Sequence, residues 1–234
     1  MQAILSYKGK TAEKPAAKAK LLNKYFSSVF QPASDVNIAQ ICISNLQLAD
    51  IEVSVDEVRD HLKNLDTSKP SGHNGIPARL VKECGDQIVP TLSAIFNQSL
   101  GSAKLPSKWI SADIVPTHKK DSKEPAEYYR PVSLLLIANK VLEHCVINHL
   151  YEHLKCLTTD LQHGFLKNWS CVTQILSVLH NVWLNLDSNT QTDVIYLDFA
   201  KAFDSVDHNI LLAKLNAYGI SDNLLSWLTN YLSA

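Results

Sequence analysis

The feature that most constrains the fold is an apolar run, Val194 to Leu197, that stops at an acid, Asp198. A short apolar run that contains β-branched and aromatic residues predicts a strand buried on both faces. A carboxylate at the end of such a strand is costly unless a positive group meets it. Because hard divalent cations prefer oxygen ligands, the pattern predicts a metal ion beside Asp198.

Two further acids, Asp204 and Asp207, follow this run and keep a second interpretation open. The strand could simply end in a turn, with an aspartate capping the next helix through its side-chain oxygen. Capping is the favoured interpretation for Asp207, which stands before a helical pattern over residues 208–218. Metal binding is the favoured interpretation for Asp198, because of the residues that surround it.

Five consecutive blocks of the sequence resemble one family. The segment YLDFAKAFDSVDHNILLAKL resembles motif A of the reverse transcriptases of non-LTR (LINE-type, jockey-like) retrotransposons. Four earlier segments look like the preceding blocks of that domain in the usual order: 69–100, 105–135, 139–150 and 162–176. Collinear blocks are far more specific than a lone acidic motif. The resemblance covers roughly Leu21 to the end of the chain, and it implies an RNA-directed DNA polymerase, a nucleotidyltransferase.

The resemblance implies two-metal catalysis of nucleotidyl transfer with Mg²⁺ as the cofactor. In such a site one ion activates the attacking 3′-hydroxyl and the other holds the leaving pyrophosphate. Asp198 would be the catalytic carboxylate and metal ligand of motif A, and the backbone carbonyl of Phe199 would also bind metal. The implied partners are an RNA template, a DNA primer and deoxynucleoside triphosphates.

The resemblance also implies a set of nucleotide-binding residues. Arg130, with Lys119 and Lys120 on the preceding tip, would meet the triphosphate, and arginine can do so through a bidentate fork. Phe203 falls at the position of the steric gate that excludes a ribonucleotide 2′-hydroxyl. A solvated hairpin for the lysines and an ordinary core phenylalanine are the alternatives. The template and nucleotide path would be lined by Gln162, Gly164 and Phe165.

The expected fold is α+β and helix-rich, an incomplete right-hand polymerase fold with fingers and the first part of the palm. Residues 1–50 are interpreted as an N-terminal extension with an amphipathic helix at about 14–30, and residues 1–12 are expected to fray or to belong to a linker. Residues 51–186 form a fingers-like region, and 187–234 begin the palm with motif A. Alternating apolar residues over 109–117 and an extended return over 130–135 predict a hairpin.

The chain departs from the family pattern at three places. The usual GFRxGRS appears as GFLKNWS over residues 164–170, without the two arginines and the second glycine, and the usual PGPDGI appears as SGHNGI over 71–76. No Tyr-x-Asp-Asp occurs in the 234 residues. The isolated chain is therefore expected to be inactive. A non-catalytic nucleic-acid or protein-binding module is the alternative function.

Composition is compatible with these expectations but does not demand them. The formal net charge is −1, yet lysines cluster over residues 8–24 and basic residues over 118–130, which would suit phosphates. The sequence shows neither a signal peptide nor a membrane span, so a cytoplasmic or nuclear protein without a membrane partner is expected. The five cysteines form no CxxC pair, which predicts reduced, mostly buried thiols. Cys145, His149 and His153 lie four residues apart and could bind a metal from one side of a helix. A solvated or half-buried helix face without a metal is the favoured interpretation.

Overall fold

The computed structural model describes residues 4–30, 44–119 and 121–233. Within these ranges the chain is helix-rich with two small antiparallel sheets, in agreement with the predicted α+β class. None of the helices in these ranges is both long enough and apolar enough to cross a bilayer. The elements in chain order are β1 (Leu5–Tyr7), β2 (Lys10–Ala12), α1 (Pro15–Ser27), α2 (Val55–Lys63), α3 (Ala78–Glu83), α4 (Gly85–Gly101), β3 (Asp113–His118), β4 (Tyr129–Leu134), α5 (Ile137–Leu154), α6 (Cys171–Asp187), α7 (His208–Ala217) and α8 (Asp222–Leu232).

The main core lies among helices that are distant in sequence. Leu62 of α2, Phe96 of α4, Leu142 of α5 and Trp227 of α8 are all at most 1% exposed and share one apolar cluster. The buried indole of Trp227 donates a hydrogen bond from Nε1 to Oγ of Ser99 at 3.0 Å. Burial of such large side chains is the main stabilising contribution here. It fixes α8 against the helices of the predicted fingers-like region.

The helix predicted near the N-terminus is present as α1, but the expectation that residues 1–12 fray or belong to a linker is wrong for the described part. Strands β1 and β2 pair in an antiparallel hairpin. Its turn has Lys8 and Gly9 at φ +46° and +74°, the left-handed backbone that two-residue hairpin turns require. The hairpin packs on Tyr25 and Ala126 in a second, smaller core. The sequence signal for this hairpin is a short alternation of apolar and polar residues on either side of Lys8 and Gly9.

Capping residues fix the ends of several helices. Oγ of Ser54 accepts a hydrogen bond from the Glu57 amide at 3.1 Å and so caps the start of α2. The side chain of Asp207 accepts from the amide of Asn209 at 2.8 Å, so the capping interpretation of that residue is confirmed. Gly219 closes α7 at φ +88°.

The strand predicted over Val194–Leu197 is wrong. The segment has no regular secondary structure, and Ile195, Tyr196 and Leu197 are 82–89% exposed. A strand needs a neighbour for its N–H and C=O groups. Among the described residues both sheets have two strands, β1 with β2 and β3 with β4, and neither pairs with this segment. The apolar run indicates that these side chains could be buried. It does not indicate whether a partner strand lies beside the segment.

The cysteines are less buried than predicted. Cys145 in α5 is fully buried, whereas Cys84, Cys156 and Cys171 are exposed; Cys42 lies outside the described residues. All four described cysteines are free thiols. Burial raises the pKa of the Cys145 thiol to about 12. Of the described cysteines, the prediction of a buried thiol therefore holds for Cys145 alone.

Candidate functional site

A cleft of about 480 Å³ lies between α1, the β3–β4 hairpin and the loop after the apolar run. It brings together five of the residues that the sequence singled out, although they come from two distant parts of the chain: Lys119, Arg130, Asp198, Phe199 and Phe203. Lys120 lies outside the described residues. The roles of these residues stay predictions, but their positions are compatible with one shared site.

The β3–β4 hairpin positions the two basic residues. In the register of the pair, Arg130 stands opposite Thr117, and the amide of Lys119 donates to the Tyr128 carbonyl at 2.8 Å as the strands separate. Both basic side chains are exposed. Within the described part of the chain, no carboxylate lies within 4.0 Å of the Arg130 guanidinium. The guanidinium is therefore available to an anion that enters the cleft.

Helix α1 forms a wall that the sequence did not predict. Tyr25 and Phe26 of α1 line the cleft, and so does Val29, just after the helix ends. Nζ of Lys201 lies 4.4 Å from the centre of the Tyr25 ring, and the Tyr25 hydroxyl donates to the Glu127 carbonyl at 3.4 Å. Tyr25 thus contacts the loop that carries Asp198 and the turn that leads into β4. The apolar face of α1 was visible in the sequence, but a contact across 170 residues carries no local signal.

The loop from Asp198 to Asp207 brings two acidic residues to the cleft. Asp198 and Asp204 both line it, with Phe199 between them in sequence. The loop turns at Lys201, whose φ of +53° is unusual for a residue with a side chain, and the Ser205 amide donates to the Lys201 carbonyl at 3.1 Å. Carboxylates are ligands that Mg²⁺ takes, so the chemistry of these two lining residues is compatible with the predicted ion.

Phe203 is 78% exposed, so the alternative of an ordinary core phenylalanine is wrong. Its ring meets the ring of Phe165 edge to face, with the centroids 5.8 Å apart. Phe165 is itself 89% exposed and has a positive φ of +63°. Two aromatic rings from separate blocks of the sequence thus meet beside the cleft.

The other two residues predicted for the template path do not line the cleft. The side chain of Gln162 turns back on its own loop, where Nε2 donates to the Gly164 carbonyl at 2.9 Å. Both residues are exposed. Among the three residues predicted from this block, it is Phe165 whose ring contacts a residue of the cleft, Phe203.

The departures from the family pattern have local structural consequences. Asn168 stands where the pattern has its second glycine, and its φ is +68°; asparagine adopts this left-handed backbone more readily than most residues. Trp169 replaces an arginine, and its ring meets that of His163 at 4.3 Å. Nζ of Lys167 lies 4.6 Å from the centre of the Tyr151 ring. Residues 164–170 therefore contribute no positive side chain to the described lining of the cleft.

The turn that replaces PGPDGI keeps its geometry despite the change of Asp to Asn. Oδ1 of Asn74 accepts a hydrogen bond from the Ile76 amide at 3.1 Å, as the side chain of an aspartate would in an Asx turn. Gly75 has φ +68°. Gly72 lies so close to the end of β4 that a Cβ atom would be 2.7 Å from the Leu135 carbonyl oxygen.

The cleft combines both signs of charge. Its cations are Lys119, Arg130 and Lys201, and its acids are Glu127, Asp198 and Asp204. A cleft with basic residues alone would attract an anion, and a cleft with acidic residues alone would attract a cation. The mixture suits a ligand that brings its own phosphates together with a divalent metal.

Comparison with known proteins gives a consistent result. The sequence profile of the family described as reverse transcriptase (RNA-dependent DNA polymerase) matches residues 117–234. The chain is 29% identical over 166 residues, 69% of its length, to the RNA-directed DNA polymerase from mobile element jockey of Drosophila melanogaster. It is 27% identical over 166 residues, 70% of its length, to "Probable RNA-directed DNA polymerase from transposon BS" of the same species. The chain spans 18% of the length of each of these two relatives.

Proposed function

Because the chain belongs to the reverse transcriptase family, and its relatives are polymerases of non-LTR retrotransposons, we propose that its cleft binds a deoxynucleoside triphosphate with Mg²⁺ for RNA-directed DNA synthesis. The chain spans 18% of the length of those relatives, and the isolated chain, which has no Tyr-x-Asp-Asp among its 234 residues, is proposed to bind the nucleotide without catalysing synthesis. Residues 51–186 would act as fingers and residues 187–234 as the start of the palm.

The observation that carries the proposal is the shared cleft of the hairpin cations and the motif A acids. Arg130 and Lys119 come from β4 and the end of β3, whereas Asp198 and Asp204 come from a loop some seventy residues later. A triphosphate carries its charge along its length and is bound in proteins together with a metal ion. The cations would hold the phosphate oxygens directly.

Asp198 and the Phe199 carbonyl would hold Mg²⁺, with Asp204 as a further oxygen donor in the same cleft. When bound, the metal would neutralise phosphate charge and activate the attacking hydroxyl. The side chains of the chain itself position the nucleotide. Arg130 would orient the phosphates by a bidentate contact, and Phe203 would face the sugar and disfavour a 2′-hydroxyl.

The RNA template and the DNA primer are the remaining proposed partners. Their path would run past the loop that carries Gln162, Gly164 and Phe165, where the exposed Phe165 ring offers a surface for stacking a base. The ring contact between Phe165 and the cleft residue Phe203 supports a path that template and nucleotide share.

The test is the affinity of the chain for a fluorescent deoxynucleoside triphosphate, measured with and without Mg²⁺. Arg130→Ala removes a charge-assisted contact and should weaken binding about tenfold or more, since such a contact contributes on the order of 2 kcal/mol. Asp198→Asn should remove most of the gain in affinity that Mg²⁺ provides, because the amide lacks the charge that attracts the ion.

Matched controls lie outside the cleft. Arg79 is exposed and pairs with Glu83 at 3.5 Å, and Asp193 is an exposed acid five residues before Asp198. Arg79→Ala and Asp193→Asn should leave the affinity unchanged. If neither Mg²⁺ nor Asp198→Asn changes the affinity, while Arg130→Ala still weakens salt-dependent RNA binding, the chain is better described as a non-catalytic nucleic-acid-binding module.

A further inference from the structure

A group of potential metal ligands lies between α2 and α5, among residues that do not line the cleft. Glu57 and His61 stand one turn apart on α2, and Cys145 faces them from α5. One ligand atom from each of these residues lies within 4.8 Å of the other two. Such a distance allows all three atoms to coordinate one ion after small side-chain adjustments.

The three donor types are those that proteins use for zinc. Thiolate sulfur, imidazole nitrogen and carboxylate oxygen bind Zn²⁺ at about 2.0–2.3 Å. A thiolate favours zinc over magnesium or calcium, which take oxygen ligands. The group therefore differs in chemistry from the all-oxygen donors of the cleft.

The ligands are held on rigid elements and remain reachable. Cys145 is fully buried, whereas Glu57 and His61 are half-buried, so the group opens to solvent on one side. Two negative ligands, a thiolate and a carboxylate, would balance the charge of a divalent ion. A charge-balanced group is far less costly in a partly buried place than a single unpaired charge.

A neighbouring side chain orients one of the ligands from outside. Nε2 of His149, one turn after Cys145, lies 3.2 Å from Oε2 of Glu57. A contact of this kind fixes ligand orientation in metalloproteins and adds to metal affinity.

Of the three residues at helical spacing, Cys145, His149 and His153, only Cys145 belongs to this group of the described residues. His153 is already engaged, since its Nε2 lies 2.8 Å from the Tyr218 carbonyl oxygen. The ligands that complete the group come instead from the facing helix, ninety residues earlier in the chain. Single-helix spacing cannot show a pairing between two helices.

We propose that Glu57, His61 and Cys145 form a zinc site that cross-links α2 and α5, with His149 positioning the Glu57 carboxylate. A solvent molecule would fill the fourth coordination position. The site is separate from the nucleotide cleft, and the proposal does not depend on the function assigned to that cleft. Its effect would be on the stability of the helical core.

The test is a titration of the chelator-treated chain with Co²⁺, followed by displacement with Zn²⁺. One Co²⁺ per chain should bind, with the thiolate-to-cobalt charge-transfer absorption that a cysteine ligand produces. His61→Ala, Glu57→Gln and Cys145→Ala should each abolish that absorption. His149→Gln should weaken binding about tenfold, as expected for loss of an outer contact. Zn²⁺ should raise the unfolding temperature of the wild type but not of His61→Ala.

Cys156→Ser and His153→Ala are the controls, because these residues supply a thiol and an imidazole outside the group. Neither should change the absorption. If Cys145→Ala does not fold, the half-buried His61→Ala and Glu57→Gln variants decide the question. Wild-type protein without the charge-transfer band, or a band that survives both half-buried substitutions, would overturn the proposal.

Discussion

At the scale of single residues, burial separates the carboxylates of this chain into two kinds. Asp198 is exposed, so the sequence argument that its charge is costly to bury was wrong. Its place in the cleft, rather than its burial, supports metal binding. Glu143 in α5 is the opposite case. It is half-buried and accepts hydrogen bonds from the Tyr231 hydroxyl and from Nδ2 of Asn139, the latter at 3.2 Å.

Glu143→Gln is predicted to stabilise the protein at neutral pH. Burial raises the pKa of the Glu143 carboxyl, against the opposing effect of the Tyr231 hydrogen bond. The folded state therefore binds this proton more tightly than the unfolded state, and stability is lost as pH rises from about 4.3 through the folded pKa. The amide oxygen of glutamine can accept the same two hydrogen bonds without a charge. We expect a gain of about 1 kcal/mol at pH 7.5.

The measurement is urea unfolding of both proteins between pH 4 and pH 8. The difference in unfolding free energy should shrink towards pH 4, where both side chains are neutral. Glu13→Gln is the control, because Glu13 is exposed, and its difference should stay near zero. A difference for Glu143→Gln that is negative at pH 7.5, or that does not change with pH, would contradict this account.

At the scale of elements, the sequence predicted helices and the β3–β4 hairpin well and the motif A strand wrongly. Helices α2 and α7 carry their own signals, an apolar period and a capping residue such as Ser54 or Asp207. The hairpin carries alternation and a polar turn. The segment Val194–Leu197 depends on strands elsewhere, so its local pattern could not decide its structure. The N-terminal hairpin was missed because its three-residue strands give only a short alternation on either side of Lys8 and Gly9.

Gly219→Ala is predicted to destabilise the end of α7 strongly. Gly219 has φ +88°, and a Cβ atom would stand 1.7 Å from the Leu46 carbonyl oxygen. The Gly219 carbonyl also accepts from the Leu48 amide at 2.8 Å. Backbone must therefore move to admit the methyl group. We expect a loss of at least about 2 kcal/mol in unfolding free energy, from strain and from the displaced contact.

Gly101→Ala is the matched substitution for this test. Gly101 is the last residue of α4, has no positive φ, and a Cβ atom would meet nothing within 4 Å. Alanine is the better helix former there, so stability should stay the same or rise by up to about 1 kcal/mol. The measurement is the free energy of unfolding from chemical denaturation. Equal losses of this free energy for the two substitutions would show that the short distance between Gly219 and Leu46 does not determine the effect.

At the scale of the whole molecule, the cleft is assembled from three parts of the chain that were predicted separately. Motif reasoning named Arg130, Asp198 and Phe203 by resemblance, and the structure places them around one cavity. The motifs did not point to Tyr25 or Lys201. These two residues contact each other although they are far apart in sequence, so no local pattern predicts the contact. Local sequence signals therefore predicted many of the parts, and non-local packing decided which of them meet.

The most direct test of the proposed cleft is photo-crosslinking of an azido-deoxynucleoside triphosphate in the presence of Mg²⁺, with the modified peptides identified by mass spectrometry. The account predicts modification within residues 129–131 and 198–204, abolished by excess unlabelled deoxynucleoside triphosphate and by chelation of the metal. Label confined to surfaces outside the cleft, or label in the cleft that neither competitor nor chelator reduces, would contradict it.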